Sequence, residues 1–286
     1  MKVLVIGSNG QLGSEFRKIS KKYKNIQWSF SSSNELDLSD LDSIVTFLKD
    51  INPSVIINCA AYTSVDKAEF DSKLADLINY KAVEVISKWT SINNIKLIHI
   101  STDYVFDGQS NIPLIENSNT NPINKYGSSK LKGEIACIKN DLNSIIIRTS
   151  WLYSSFGKNF VKTMIDLMKK NNSIEVVNDQ IGSPTYAYDL AKVIIKILMN
   201  YKTESGLFHY SNKGEVSWFE FARSIRELYD LDCKIIGVSS KKFNTLAKRP
   251  KYSLLKKSKI KTTFNLEILD YKQSLKNCIE IIKNEA

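Results

Sequence analysis

Short apolar runs rich in β-branched residues recur along the first half of the chain, and hydrophobic residues at helical spacing lie between them. Met1 to Ile6, Ile26 to Phe30, Ser54 to Asn58, Lys96 to Ile100 and Ser144 to Arg148 each read as a strand. Helices are predicted from Ser14 to about Tyr23, Asp40 to Asp50, Ser72 to Trp89 and Tyr126 to Cys137. In the second of these Leu41, Ile44, Val45 and Leu48 share a face. Strands alternating with helices imply a parallel sheet covered on both sides, with ligands gathering outside the carboxyl ends of the strands. The fold class is therefore α/β, a Rossmann-type doubly wound parallel sheet, followed by a smaller mixed α/β part.

That second part is predicted to carry helices at Asn159 to Met168, Tyr188 to Asn200 and Ser217 to Tyr229, with Ser217 as an N-cap. Short strands at Ile174 to Val177 and Leu207 to Tyr210 separate them. Lys256 to Thr263 reads as a polar connection before a last helix around Gln273 to Lys283. The expected division is a dinucleotide-binding domain over 1–150 and a substrate domain over 151–286, with some segments of the latter returning to the former.

The strand ends carry the candidate chemistry. Gly7-Ser-Asn-Gly10-Gln-Leu-Gly13 lies between the first strand and the first helix, where a dinucleotide fingerprint belongs. Gly7 would allow the tight turn, Gly10 the approach of a pyrophosphate and Gly13 close helix–strand packing. A pyrophosphate would sit on the free N–H groups at the helix start. Tyr126 and Lys130, four residues apart, leave one helix face together, and an ammonium beside a phenol would lower its pKa towards working pH. The second strand ends in Ser31-Ser-Ser33 without the carboxylate usual for NAD ribose recognition, so NADPH, or use of both cofactors, is favoured over strict NADH. No arginine in the sequence is obviously placed to hold a 2′-phosphate.

Several motifs occur in one order: the glycine turn, Asn58-Cys-Ala-Ala-Tyr-Thr-Ser-Val-Asp66, Ser101-Thr-Asp-Tyr-Val-Phe-Asp-Gly108, Tyr126-x-x-x-Lys130, Arg148-Thr-Ser-Trp151, Asn178-Asp-Gln-Ile-Gly-Ser-Pro-Thr185 and Arg249-Pro250. Together they resemble the dTDP-4-dehydrorhamnose reductase family of extended short-chain dehydrogenases/reductases, from residue 1 to about 255. The resemblance implies reduction of the 4-keto group of dTDP-4-dehydro-L-rhamnose by NADPH or NADH. It implies Tyr126 as proton donor, Lys130 as the residue that holds the nicotinamide ribose and lowers the Tyr126 pKa, and Thr102 as the hydroxyl on the 4-keto oxygen. Gly10, Gln11 and Leu12 would lie along the pyrophosphate, Asp37 and Leu38 beside the adenine, and Ala60, Ala61 and Tyr62 by the nicotinamide half. Asp37 also suits a helix N-terminal turn. Asp103 would bond sugar hydroxyls or cap a turn. Trp151 would contact the sugar nucleotide or fill a core, and Arg249 would pair with the diphosphate or precede a surface turn.

Some family members dimerise through Mg²⁺ held by a first-helix glutamate and an acidic pair. Glu15 matches the first position, and Tyr188-Asp189 keeps one acid of the pair. Few hard oxygen ligands remain. Glu15 and Asp189 are thus expected on solvated helix surface, with Mg²⁺ not favoured, its site weakened or absent, and either a monomer or a metal-independent homodimer. Two other functions stay open on the same fold: reduction of a different nucleotide 4-keto-6-deoxysugar, and a non-catalytic NADP-binding regulatory subunit like that of methionine adenosyltransferase. Retention of Thr102, Tyr126 and Lys130 argues against the second.

Net charge is +10, but the 40 basic residues are spread along the 286-residue chain and no nucleic-acid motif accompanies them, so the expected partner is an anionic nucleotide sugar rather than nucleic acid. No segment reaches membrane-span length, and the chain enters a strand at once with no signal-peptide pattern. Cys59, Cys137, Cys233 and Cys278 lack paired spacing, which suits packed free thiols in a reducing cytoplasm. The two histidines, His99 and His209, cannot make a zinc site.

Overall fold

A computed structural model of the chain describes residues 1–200, 203–243 and 245–285. In chain order the elements are β1 (Lys2–Ile6), α1 (Gln11–Ser20), β2 (Gln27–Ser31), α2 (Leu41–Ile51), β3 (Val55–Asn58), α3 (Ser72–Asp76), α4 (Ala82–Ile92), β4 (Lys96–Thr102), α5 (Lys125–Asn140) and β5 (Ile145–Thr149). They continue with β6 (Leu152–Tyr153), α6 (Phe160–Lys170), β7 (Ser173–Val177), β8 (Ile181–Gly182), β9 (Thr185–Tyr186), α7 (Ala187–Asn200), β10 (Gly206–His209), β11 (Val216–Ser217), α8 (Trp218–Tyr229), β12 (Lys234–Val238), α9 (Ser258–Thr263) and α10 (Tyr271–Asn284).

Six parallel strands form the main sheet in the order β10-β5-β4-β3-β1-β2. The chain leaves β1 to one side for β2 and crosses to the other side for β3, so the switch of direction falls between β1 and β3. That is where a doubly wound sheet opens a crevice. Val3, Val5, Ile57, Ile98 and Ile147 pack on one face against α1 and α7. Leu4, Ile6, Ile56, Leu97 and Ile146 pack on the other against α2 and α4. Strands buried on both faces explain the unbroken apolar runs. A second core joins α6, α8 and α10 through Met164, Phe221, Ile225 and Leu275.

The structure departs from the sequence reading at several places. α1 begins at Gln11, because Gly10 already serves as its N-cap. The segment from 256 to 263 is no mere connection: Ile260 and, just past the helix, Phe264 bury one face of α9 against the main core. The strand near residue 207 joins the main sheet beside β5. The helix from Ser72 to Ile92 contains a π turn over Leu77–Lys81. This turn brings Asn79 inward, where its side chain accepts from the Tyr62 amide at 2.9 Å and donates to the Tyr62 carbonyl at 3.0 Å and the Ser129 hydroxyl at 2.9 Å. The loop after β3 is thereby fastened to α5. Ser217 caps α8 in a reciprocal capping box with Glu220.

An added Cβ at Gly133 of α5 would lie 2.1 Å from the Asn79 carbonyl oxygen. Gly133→Ala is expected to destabilise the fold by about 1–3 kcal/mol, the usual cost of overpacking. Urea unfolding checks it; an unchanged midpoint would contradict this packing.

Candidate active site

A cleft of ≈ 890 Å³ runs along the carboxyl edge of the sheet. Its floor begins at the glycine turn. Gly7 has φ +81°, and a Cβ there would meet the Ala60 amide nitrogen at 2.6 Å. The Gly7 and Ser8 amides both donate to the Ser31 carbonyl, at 2.8 and 2.9 Å, which locks the turn to the end of β2. Gly13 presses so close that a Cβ would stand 2.3 Å from the Gly7 carbonyl oxygen. Gly10 caps α1 without any side-chain bond to the first amides, so those N–H groups stay free for an anion. Gln11 and Leu12 line the cleft with Gly7 and Gly10, whereas Gly13 serves the packing behind them. Gln11 spans to the second half of the chain, donating to the Leu152 carbonyl at 3.4 Å. Its Oε1 is buried without a hydrogen-bond partner among the described residues.

The opposite wall is built where β4 ends against the start of α5. Asn124 caps α5 by accepting from the Gly127 amide at 2.7 Å. Gly127 lets the helix press on the turn after β4, since a Cβ would lie 2.1 Å from the Tyr104 carbonyl oxygen. This contact sets Tyr126 beside Thr102 in the cleft wall, where the Thr102 hydroxyl works against the effect of burial on the phenol. The Tyr104 ring stands edge-on to Tyr126, with centroids 5.5 Å apart. Thr102 Oγ1 accepts from the Tyr104 amide at 3.2 Å and donates to Asp103 Oδ1 at 3.2 Å. Asp103 Oδ2, buried at the cleft, has no hydrogen-bond partner among the described residues. Burial pushes the Asp103 carboxyl up to about 6, against hydrogen bonds that favour its charge.

Lys130 is 1% exposed. It donates to the Ile100 carbonyl at 2.7 Å and lies 3.4 Å from His99 Nε2. Burial brings its pKa down to about 8. Burial and the Lys130 charge together push the His99 imidazole well down, so the ring is neutral. Tyr126 does not behave as the Tyr–Lys spacing suggested. Burial pushes its phenol up to about 12, and Lys130 is turned onto the β4 carbonyl instead of lowering it. A phenol that keeps its proton at neutral pH is in the state a proton donor needs.

The sequence matches the RmlD substrate binding domain family over residues 1–284. The chain belongs to that family. It is 36% identical to the dTDP-4-dehydrorhamnose reductase of Aggregatibacter actinomycetemcomitans over 289 residues, covering 96% of this chain and 97% of the relative. The crystal structure of a dTDP-4-dehydrorhamnose reductase from Clostridium acetobutylicum superposes with a TM-score of 0.95 at 38% identity, over 99% of this chain and all (100%) of that one. The enzyme of that name from Bacillus anthracis, solved in complex with NADP, superposes with a TM-score of 0.93 at 36% identity, over 98% and 99%. The glycine cradle, which has no room for a Cβ, and the uncapped start of α1 fit a dinucleotide of this kind.

Other residues singled out in this RmlD family chain fall in and around the same cleft. Asp37, Leu38, Ala60 and Ala61 line it. Asp37 also accepts from the Ser39 amide at 2.8 Å and hydroxyl at 2.7 Å, which holds its carboxyl below the usual range. Tyr62 does not line the cleft; its hydroxyl turns to Asp71. Trp151 lines it from a left-handed backbone, φ +49°. Its indole stacks on Trp218, a second cleft tryptophan, with centroids 3.5 Å apart. Trp218 escaped the sequence reading because it follows an ordinary helix cap. Arg249 is not among the cleft residues and forks onto Asp66, Nη2 to Oδ2 at 2.6 Å and Nη1 to Oδ1 at 3.3 Å.

Glu15 and Asp189 are not solvated surface. α1 packs under the second half of the chain, and Glu15, 0% exposed, accepts from Ser154 at 2.6 Å; burial raises its pKa. Asp189 is buried too, accepting from Ser274 at 2.5 Å and Asn212 at 3.0 Å and pairing with Lys192 at 2.9 Å. No group of three or more His, Cys, Asp or Glu able to hold a metal occurs among the described residues.

The fold holds the Asp103 proton up to about 6 where an unfolded chain releases it near 3.8. The unfolded state therefore binds fewer protons between those values, and stability falls as pH rises through them. Asp103→Asn is expected to be more stable than the parent by up to about 3 kcal/mol above about pH 6, with the advantage fading below about pH 4. Thermal melts of both proteins across that range check it. A difference independent of pH would contradict the buried carboxylate.

Proposed function

We propose that this chain reduces the 4-keto group of dTDP-4-dehydro-L-rhamnose to give dTDP-L-rhamnose, a precursor of rhamnose-containing polysaccharides. The observation that carries this reading is the placement of Tyr126, Thr102 and Lys130 together in the wall of a cleft whose other end is a glycine cradle. A reduced nicotinamide, when bound, supplies the hydride to the ketone carbon. Gly7, Gly10, Gln11 and Leu12 hold the pyrophosphate, Asp37 and Leu38 flank the adenine, and Ala60 and Ala61 flank the nicotinamide half. Tyr62 acts through its backbone, which Asn79 fixes.

Thr102 and Tyr126 both hydrogen-bond the ketone oxygen, and Tyr126 passes its proton there as negative charge develops. Lys130 faces the ribose and the polar wall. Asp103 accepts from sugar hydroxyls through its free Oδ2. Trp151 covers the sugar nucleotide, and Arg249, released from Asp66, serves the diphosphate. The first half of the chain holds the cofactor and the second half the sugar. The enzyme works in the cytoplasm as a monomer or metal-independent homodimer; no helix among the described residues is long and apolar enough to cross a membrane, and its described cysteines are free.

Tyr126→Phe is expected to lower turnover of the nucleotide ketosugar by about 10²–10⁴-fold while cofactor affinity stays within about twofold. Oxidation of the reduced nicotinamide, followed by absorbance, reads the first; calorimetric titration reads the second. Full turnover in the variant removes Tyr126 from the mechanism. Failure of the parent to reduce any nucleotide ketosugar favours a cofactor-binding regulatory subunit.

A further inference from the structure

Behind the glycine turn, next to the cleft residues Ser32 and Ser33 rather than among its lining, the structure holds a cation that the sequence did not disclose. Arg17 lies on the last turn of α1, four residues after Gly13 and on the same face. Helix side chains lean toward the N-terminus, and Gly13 has none to block the way. The Arg17 guanidinium therefore reaches back to the glycine turn, donating from Nη2 to the Ser8 hydroxyl at 2.9 Å. Its flat face rests on the Phe30 ring, 4.6 Å from the centroid, and Phe30 stacks in turn on Trp28. The cation is thus held by a hydroxyl and a ring. No ion pair engages it among the described residues, in contrast to Arg148 with Glu134 and Arg249 with Asp66. One hydrogen bond leaves most of its five N–H donors free.

The surroundings say what those donors meet. The Gly7 and Ser8 amides are tied to the Ser31 carbonyl, so the glycine turn and the end of β2 form one continuous lip. Ser32 and Ser33 continue that lip into the cleft. A ribose between a pyrophosphate on α1 and an adenine near Asp37 has to cross it. The position where a ribose-binding carboxylate would exclude a 2′-phosphate is occupied by small hydroxyl side chains. Glu35 is the nearby opposing charge. It is already engaged with the Ser32 amide at 2.7 Å and with the Ser32 hydroxyl, and Arg17 helps hold its carboxyl below the usual range.

We infer that Arg17, together with Ser8, Ser32 and Ser33, receives the 2′-phosphate of NADPH and is the residue that separates NADPH from NADH. A planar guanidinium matches a phosphate in a way a neutral lip cannot. The inference rests on the proposed use of a nicotinamide dinucleotide, but its test does not require turnover. Calorimetry would give dissociation constants of the whole protein for NADPH and NADH, and for adenosine 2′,5′-bisphosphate and adenosine 5′-monophosphate as probes without nicotinamide. Arg17→Gln is expected to weaken NADPH and the bisphosphate by roughly tenfold to a hundredfold, the range for losing charge-assisted hydrogen bonds, with NADH and the monophosphate within about twofold. Unchanged NADH binding also shows that the cleft is intact. Arg17→Lys is expected to keep part of the preference. Equal weakening of both cofactors, or no weakening of NADPH, overturns the inference. A protein that binds NADPH through Arg17 yet reduces no ketosugar would leave this assignment standing and reject the reductase reading alone.

Discussion

A lysine ammonium buried in a protein has to find acceptors there, and Lys130 finds the Ile100 carbonyl at 2.7 Å. Ile100 lies just before the end of β4, so this bond sets the height of α5 above the sheet. Tyr126, one turn earlier on α5, is thereby set against Thr102 at the strand end. The bond extends into a chain: Lys130 lies by His99, His99 Nδ1 is 3.3 Å from the Asn58 amide, and Asn58 accepts from the Ala60 amide at 3.1 Å. One buried cation thus coordinates the ends of β3, β4 and α5, the three elements that face the glycine turn. Burial brings its pKa from 10.5 down to about 8, so the charged form is disfavoured where it sits. Local instability of this kind is common where a group is kept for chemistry rather than for the fold.

Much of the fold was legible because parallel strands buried on both faces cannot alternate with polar residues. Runs such as Lys2–Ile6 and Val55–Asn58 announce themselves, and the helices between them carry one apolar stripe each. What was not legible depends on contacts distant in sequence. The run at 207–210 reads as a strand, yet only the partner β5, some sixty residues earlier, assigns it to the main sheet. The stretch 258–263 hides its helix under lysines, with Ile260 as its buried residue and Phe264 one helical step beyond. The π turn over 77–81 leaves no mark in the pattern of apolar residues; it exists because Asn79 is drawn to the Tyr62 backbone and Ser129.

The candidate site divides in the same way. The glycine turn could be named from local motif alone, and the residues at the other strand ends from the family resemblance, since each sits within a few residues of its strand. The direction of Lys130 could not, because i,i+4 spacing says that two side chains share a face, not that one of them turns under the helix to a strand carbonyl. Arg17 was missed because its significance needs a helix face and the end of β2 in one place. Arg249 and Asp66, separated by more than half the chain, pair with each other outside the cleft lining. Glu15 looked like solvated surface because the helix α7, which buries it with the second half of the chain, lies far downstream.

The cleft brings a hydride and a proton to one ketone of a nucleotide sugar. Incubating the protein with reduced nicotinamide dinucleotide carrying deuterium at both hydrogens of the nicotinamide C4 and dTDP-4-dehydro-L-rhamnose, then reading the product by NMR, tests it most directly. Deuterium at the sugar C4 of dTDP-L-rhamnose, and nowhere else, is the expected result. An unlabelled sugar, or the opposite configuration at C4, would contradict it.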